Sequence, residues 1–208
     1  MTDPIDPAER PRYIPLSTYR LQIHAGFPLA AAEQVVPYLA ALGVGACYTS
    51  PYFTAAQGST HGYDVQDHNE ISPELGGAGA LSGLRAALTA HQLGHVVDFV
   101  PNHMGIGNGR NARWNDVLEN GPSSPASVFF DIEWTPELEE LRSKLLLPIL
   151  GDQYGRVLER GELQVIFRDG QLALKYFDTE LPINPRQSPR AFALALEPLT
   201  GLLGADSP

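Results

Sequence analysis

One order of events occurs twice in this chain and restricts its fold more than any other feature: an amphipathic helical pattern, a Leu-Gly pair and a short strand. From Leu29 to Leu42 the apolar residues Val35, Val36, Leu39 and Leu42 recur at helical spacing, and Gly43 follows as a stop. Pro37 either kinks that helix or marks the first turn of a shorter one. A strand over Val44 to Thr49 comes next. From Ala80 to Leu93 the residues Leu81, Leu84, Ala87 and Leu88 trace a second helical face, and Gly94 ends it. His95 to Val100 then reads as a strand buried on both faces of a parallel sheet. Ahead of both units, Ser17 to His24 alternates polar and apolar residues, with Tyr19, Leu21 and Ile23 on one face, as a first strand does. Successive strand–helix units with right-handed crossovers lay their strands side by side, so the expected class is α/β with a parallel sheet.

After Met104 the rhythm breaks. Residues 105–160 are rich in Gly, Pro and Asn, with a helical patch around Pro136 to Leu147. A hairpin follows, turning at Asp169-Gly170. Pairing Arg168 with Gln171 sets Phe167 opposite Leu172, Val165 opposite Leu174 and Leu163 opposite Tyr176, all on one side, which fixes the register. The segment is expected to be an inserted β-rich subdomain. The expected organisation is a tail over 1–16, strand–helix units over 17–104, the insertion over 105–187 and the start of a further helix over 188–208, within Arg190 to Leu203.

Composition removes several classes. With 24 acidic against 14 basic residues, the net charge of −10 repels phosphate backbones and anionic lipid, so neither nucleic acid nor membrane is expected as a partner. No apolar run is long enough to span a bilayer. The first 15 residues lack both the basic start and the hydrophobic centre of a secretion signal, so a cytoplasmic location is expected. The lone Cys47 falls inside a strand and reads as a buried structural thiol. No Gly-x-Ser-x-Gly elbow and no Gly-x-Gly-x-x-Gly turn is present, which drops nucleophilic-serine, kinase and dinucleotide readings.

In parallel βα structures the working side chains lie on loops beyond the C-terminal strand ends. Here those loops are His24 to Phe27, Ser50 to Asp67 and Asp98 to His103, and they face one way. Tyr63 offers a flat aromatic face for a pyranose ring and Asp64 an acceptor for its hydroxyls. Asn102 and His103 bring amide and imidazole groups to the same mouth. Asp98 follows Val96 and Val97, so it is partly buried and needs partners; it is expected to brace the site. Trp114, Trp134, Phe129 and Phe130 are read as core of the insertion in preference to sugar platforms. No cofactor and no metal is expected, since no second His or Cys stands at ligand spacing to His103; Asn102 alone could offer calcium an oxygen.

Asp98 to His103 resembles the first signature of the α-amylase-type glycoside hydrolases, and Gly62-Tyr63-Asp64 resembles their sugar-stacking loop. Within that family the chain is similar to the maltooligosyl trehalose synthases. The similarity lies in Ser17 to Gln22, Gly58 to Val65, Ser72 to Gly77, Val100 to Met104, Asp116 to Gly121 and Leu147 to Gly155, and runs from about Ser17 to Pro185. The resemblance implies a (β/α)8 TIM barrel, of which this chain holds the first three βα units with the β-rich subdomain inserted after the third strand. It implies a maltodextrin substrate and a retaining mechanism with an aspartate nucleophile and a glutamic acid, in which the reducing-end α-1,4 bond becomes an α,α-1,1 bond by intramolecular transglucosylation, for trehalose biosynthesis. It places Tyr63, Asp64, Asn102 and His103 at the substrate. A departure is the absence of any Gly-x-Arg-x-Asp strand after His103, so no catalytic residue is assignable. The nucleophile aspartate and the acid/base glutamate are expected beyond Pro208, and the chain alone is expected to be inactive, with the remainder of the barrel as a possible partner. The alternatives are a fragment of an α-amylase-like hydrolase or transglycosylase, or a non-catalytic maltodextrin-binding remnant.

Overall fold

The computed structural model describes residues 14–107, 110–168, 170–190 and 192–193. Most of the 1–16 tail, the turn residue Asp169 and most of the helix expected within Arg190 to Leu203 therefore lie outside the described residues. So does Pro208, the position beyond which the nucleophile and the acid/base are expected. Strands β1 (Thr18–Leu21), β2 (Ala46–Thr49) and β5 (Gly94–Val97) form a parallel sheet in the order β1-β2-β5. Its register pairs Tyr19 with Cys47 and Cys47 with His95, and sets Arg20, Tyr48 and Val96 in one row. Because side chains alternate across a strand, Leu21, Cys47 and Val97 share one face and Arg20, Tyr48 and Val96 the other. Helices α1 (Leu29–Ala41) and α2 (Gly77–Ala90) cover the first face: Leu29, Val36, Leu39, Leu84 and Leu88 form one core with Leu21, Ile23 and Cys47, all buried.

The second face is open among the described residues, and Val96 is 40% exposed there. Burial of the third strand on both faces is therefore corrected to burial on the helix side, and the strand ends at Val97 instead of Val100. Leu42 is likewise 55% exposed, because the helix ends before it. Pro37 sits inside α1.

Both helices end with the same bond. Val44 N–H donates to the Leu39 carbonyl at 3.1 Å, and Leu93 N–H to the Leu88 carbonyl at 2.9 Å. This six-residue closure needs a left-handed residue between helix and strand. Gly43 supplies it at φ +82°, and in the second unit Gln92 does, at φ +58°. The equivalence of Leu42-Gly43 with Leu93-Gly94 is thus corrected: Gly43 corresponds to Gln92, and Gly94 already belongs to β5.

The long loop read between the second strand and the second helix is folded as an antiparallel hairpin, β3 (Phe53–Ala55) with β4 (Val65–Ile71). Its ladder is irregular, with register shifts on both sides of Thr54, and Gln66, Asp67, His68, Asn69 and Glu70 give β4 no apolar alternation to read. Its tip, residues 56–64, carries Tyr63.

The chain divides between Gly105 and Ile106, and the second unit has its own core. Helix α3 (Ala112–Asn120) is capped by Asn111, whose side chain accepts from the Trp114 N–H at 3.0 Å. Trp114 and Val117 are buried there with Ala126, against Phe130, Ile132, Leu145 and Leu147. The helix expected over Pro136 to Leu147 is corrected to a single turn at Glu139–Leu141. Ser143, at φ +56°, returns its N–H to the Trp134 carbonyl, and the extended chain beyond it sends Leu145 and Leu147, two apart, onto the Trp114 cluster. Helix α4 (Tyr154–Glu159) precedes a three-stranded antiparallel sheet of β6 (Leu163–Arg168), β7 (Gln171–Tyr176) and β8 (Thr179–Pro182). The β6–β7 register pairs Leu163 with Tyr176, Val165 with Leu174, Phe167 with Leu172 and Arg168 with Gln171, as the apolar pattern requires. Among the described residues no helix is long and apolar enough to cross a membrane.

Candidate functional site

The sheet register places Arg20 and Tyr48 side by side and Asp98 just past Val96 on the same face, and the three side chains meet. Asp98 Oδ2 accepts from Arg20 Nη1 at 3.1 Å, from the Tyr48 hydroxyl at 3.0 Å and from the Tyr63 hydroxyl at 2.5 Å. Its backbone N–H donates to the Thr49 carbonyl at 2.9 Å, so the carboxylate stands on a fixed strand end. The Asp98 side chain is 13% exposed. The Tyr63 hydrogen bond, with those of Arg20 and Tyr48, holds its carboxyl below the usual carboxylate range against the opposing effect of burial. The same carboxylate raises the pKa of Tyr48 and of Arg20.

Tyr63 reaches this cluster because its loop is fixed at several points. Gln22 Nε2 donates to the Thr60 carbonyl at 3.1 Å. Ser59 Oγ donates to Asp64 Oδ1 at 2.6 Å and accepts from the Gly62 N–H at 3.1 Å. Gly62 has φ +75°, and a Cβ there would fall 2.5 Å from the Pro51 carbonyl oxygen, so no other residue fits this close approach. The His61 ring stacks beside Tyr63 at 6.0 Å between centroids.

The loop after β5 closes on the same hairpin tip. His103 Nε2 donates to the Tyr63 carbonyl at 2.9 Å, and His103 Nδ1 lies 3.1 Å from Asn102 Oδ1. The Gly105 N–H donates to the Val65 carbonyl at 2.7 Å. A Cβ on Gly105 would lie 2.5 Å from the Asp64 carbonyl oxygen. Tyr63, Asp64, Asp98, Asn102 and His103 are therefore brought together in the first unit. Within this cluster Asp98 is a shared acceptor, Asp64 is engaged by Ser59, and His103 ties its loop to that of Tyr63.

The His24 to Phe27 segment does not join them; His24 and Phe27 bond to each other in a tight turn. Arg20 and Gln22 act from the first strand instead, and sequence reasoning missed both, as it missed Tyr48. The signal available was parity: Arg20 and Gln22 alternate with the buried Leu21 and Ile23 and so point away from the helices. The expectation that Trp114 is core holds, with 8% exposure, whereas Phe129 is 59% exposed. A cavity of about 510 Å³ lies in the second unit between Trp114, Phe130, Ile132 and Leu145 to Leu147, is mostly apolar, and is lined by none of Tyr63, Asp64, Asp98, Asn102 and His103. Among the described residues no group of three His, Cys, Asp or Glu could hold a metal ion.

Comparison with known proteins finds similar chains and folds. The solved structure of maltooligosyltrehalose synthase from Arthrobacter ramosus is 40% identical, with a TM-score of 0.72 over 82% of this chain and 21% of that one. Another maltooligosyl trehalose synthase structure gives a TM-score of 0.74 at 37% identity, over 81% of this chain and 22% of that one. A Mycobacterium tuberculosis protein provisionally named maltooligosyl trehalose synthase is 44% identical over 176 residues, which are 82% of this chain and 21% of the relative. The chain thus spans about a fifth of the length of the relatives it matches. Residues 29–143, more than half of the chain, match the alpha-amylase catalytic domain, and the chain belongs to that family.

Proposed function

We propose that this chain is the N-terminal portion of a maltooligosyl trehalose synthase, contributing three βα units of a (β/α)8 barrel and the subdomain inserted after them. The observation that carries the reading is the meeting of Tyr63, Asp98 and His103, from two loops, at the C-terminal ends of parallel strands. The substrate is a maltodextrin, and the reaction turns its reducing-end α-1,4 bond into an α,α-1,1 bond by intramolecular transglucosylation, in trehalose biosynthesis in the cytoplasm. Tyr63 offers its aromatic ring to the pyranose, with His61 stacked beside it. Asp64 and Asn102 offer acceptors and an amide to hydroxyls, and His103 ties the two loops together through the Tyr63 carbonyl.

In a retaining mechanism an aspartate attacks the anomeric carbon while a glutamic acid protonates the leaving oxygen. No residue of this chain is assigned to either step, and its part is to bind and orient the sugar next to the cleaved bond. Titration calorimetry of the chain with maltopentaose tests this. Binding that Tyr63→Ala and Asn102→Ala each weaken is expected; wild-type binding that neither substitution alters refutes it. For a polypeptide that continues into the catalytic strands, a non-reducing oligosaccharide product is expected, and release of reducing sugar alone would assign it to hydrolysis.

A further inference from the structure

We propose that Arg20 is a positioning residue that commits the Tyr63 hydroxyl as a donor to Asp98, so that Tyr63 meets a ligand through its ring face and a single acceptor lone pair. The inference deepens the carbohydrate reading above and rests on it for the identity of the ligand. Arg20 bridges two partners with one guanidinium: Nη1 lies 3.1 Å from Asp98 Oδ2 and Nη2 donates to the Tyr63 hydroxyl at 3.2 Å. The Nη2 group also reaches Gln22 Oε1 at 3.3 Å, and Gln22 holds the Thr60 carbonyl of the Tyr63 loop. The guanidinium stacks over the Tyr48 ring at 4.8 Å, which fixes its plane.

A phenol has one proton to donate and two lone pairs to accept with. The Tyr63 proton goes to Asp98, an acceptor that cannot donate when ionised, and one lone pair receives Arg20. What remains is one acceptor position. A sugar hydroxyl can meet it only as a donor, and a ring oxygen or glycosidic oxygen, which has no proton, cannot meet it at all. The site thereby distinguishes a hydroxyl from an ether oxygen at the edge of Tyr63. Lysine in place of Arg20 carries the charge but lacks the planar fork that spans both partners, so the arrangement depends on the guanidinium shape and not on charge alone.

The test uses the 208-residue chain with 13C at the tyrosine Cζ, a carbon whose resonance reports the hydrogen bonds of its own hydroxyl, the Tyr63 line being assigned with Tyr63→Phe. In Arg20→Lys the Tyr63 line is expected to move while that of Tyr176, whose hydroxyl accepts from the Gly151 N–H in the second unit, stays. Tyr48→Phe, which leaves Arg20, Asp98 and Tyr63 in place, is expected to move the Tyr63 line less. An unmoved Tyr63 line in Arg20→Lys overturns the proposal, and so does an equal shift in Tyr48→Phe, because the effect would then belong to the cluster and not to Arg20. With maltopentaose, Arg20→Lys is expected to bind about 5- to 10-fold more weakly, the loss of roughly one net hydrogen bond. If the wild-type chain binds no maltopentaose, the carbohydrate reading fails while the resonance measurement still decides the role of Arg20.

Discussion

Replacing Asp98 by asparagine removes one negative charge and keeps the shape, so it isolates what ionisation contributes to the first unit. The Tyr63 and Tyr48 hydroxyls, at 2.5 and 3.0 Å, lose a charged acceptor for a neutral one, together a difference of about 1 kcal/mol. Arg20 loses its ion pair, but its side chain is 37% exposed and water screens it, which limits that loss to about 0.5 kcal/mol. The sum, about 1.5 kcal/mol, corresponds to roughly a tenfold rise in the open population. Cys47 reads that population directly, because it is fully buried in the unit that holds Asp98 and is the chain's one thiol. At pH 7 Asp98→Asn is expected to raise the rate of Cys47 alkylation about tenfold under native conditions. The sign with pH follows from a folded pKa depressed below the ordinary carboxylate value near 3.8. The stabilisation is present above that value and lost as pH falls through the lower folded one. Urea midpoints of wild type and Asp98→Asn, followed by circular dichroism, should therefore differ at pH 7, begin to approach each other only as pH falls below about 4, and meet below the folded value. Equal alkylation at pH 7, or a gap that persists in acid, refutes the reasoning.

Further outcomes follow from single residues. Gln92→Gly relieves a left-handed backbone at φ +58° and should raise the urea midpoint by the equivalent of about 0.5–1 kcal/mol, whereas Gly43→Ala, at φ +82°, should lower it by a similar amount. Gly105→Ala puts a Cβ against the Asp64 carbonyl and should loosen the His103 loop, seen as loss of the His103 imidazole cross-peaks to Tyr63 in NMR spectra, with the Leu163–Tyr176 pair unchanged. Burial pushes the Cys47 thiol up to about 11, so the folded chain should resist alkylation at pH 8 and react within the mixing time in about 6 M guanidinium chloride, a contrast absent if the thiol is reachable in the native state.

The elements that sequence reveals here are those with a face to bury. Leu29 to Ala41 and Gly77 to Ala90 carry helical stripes, and the β6–β7 pairing was legible because its apolar residues alternate with no competing register. The β3–β4 hairpin was not, since β4 reads Val-Gln-Asp-His-Asn-Glu-Ile and its irregular pairing takes no support from a hydrophobic period. The patch over Pro136 to Leu147 misled for the opposite reason: its leucines satisfy a helical spacing, yet Leu145 and Leu147 reach the Trp114 core from extended backbone. At the site, Tyr63, Asp64, Asp98, Asn102 and His103 were legible by residue type at strand ends. Arg20 and Tyr48 lie within strands, where their meeting with Asp98 depends on the register among three strands far apart in sequence, which no local pattern encodes.

Tyr63 rides at the tip of a two-stranded ribbon whose ladder is irregular, and its ring is held by what the tip touches: Arg20, Asp98 and His103. A ribbon of this kind behaves like an arm latched at the wrist. The latch begins at Gly58, whose N–H donates to Glu74 Oε2 at 3.2 Å, and continues through Ser59, Thr60 and Tyr63, so a change in the stem at β3 can be absorbed while the ring keeps its place.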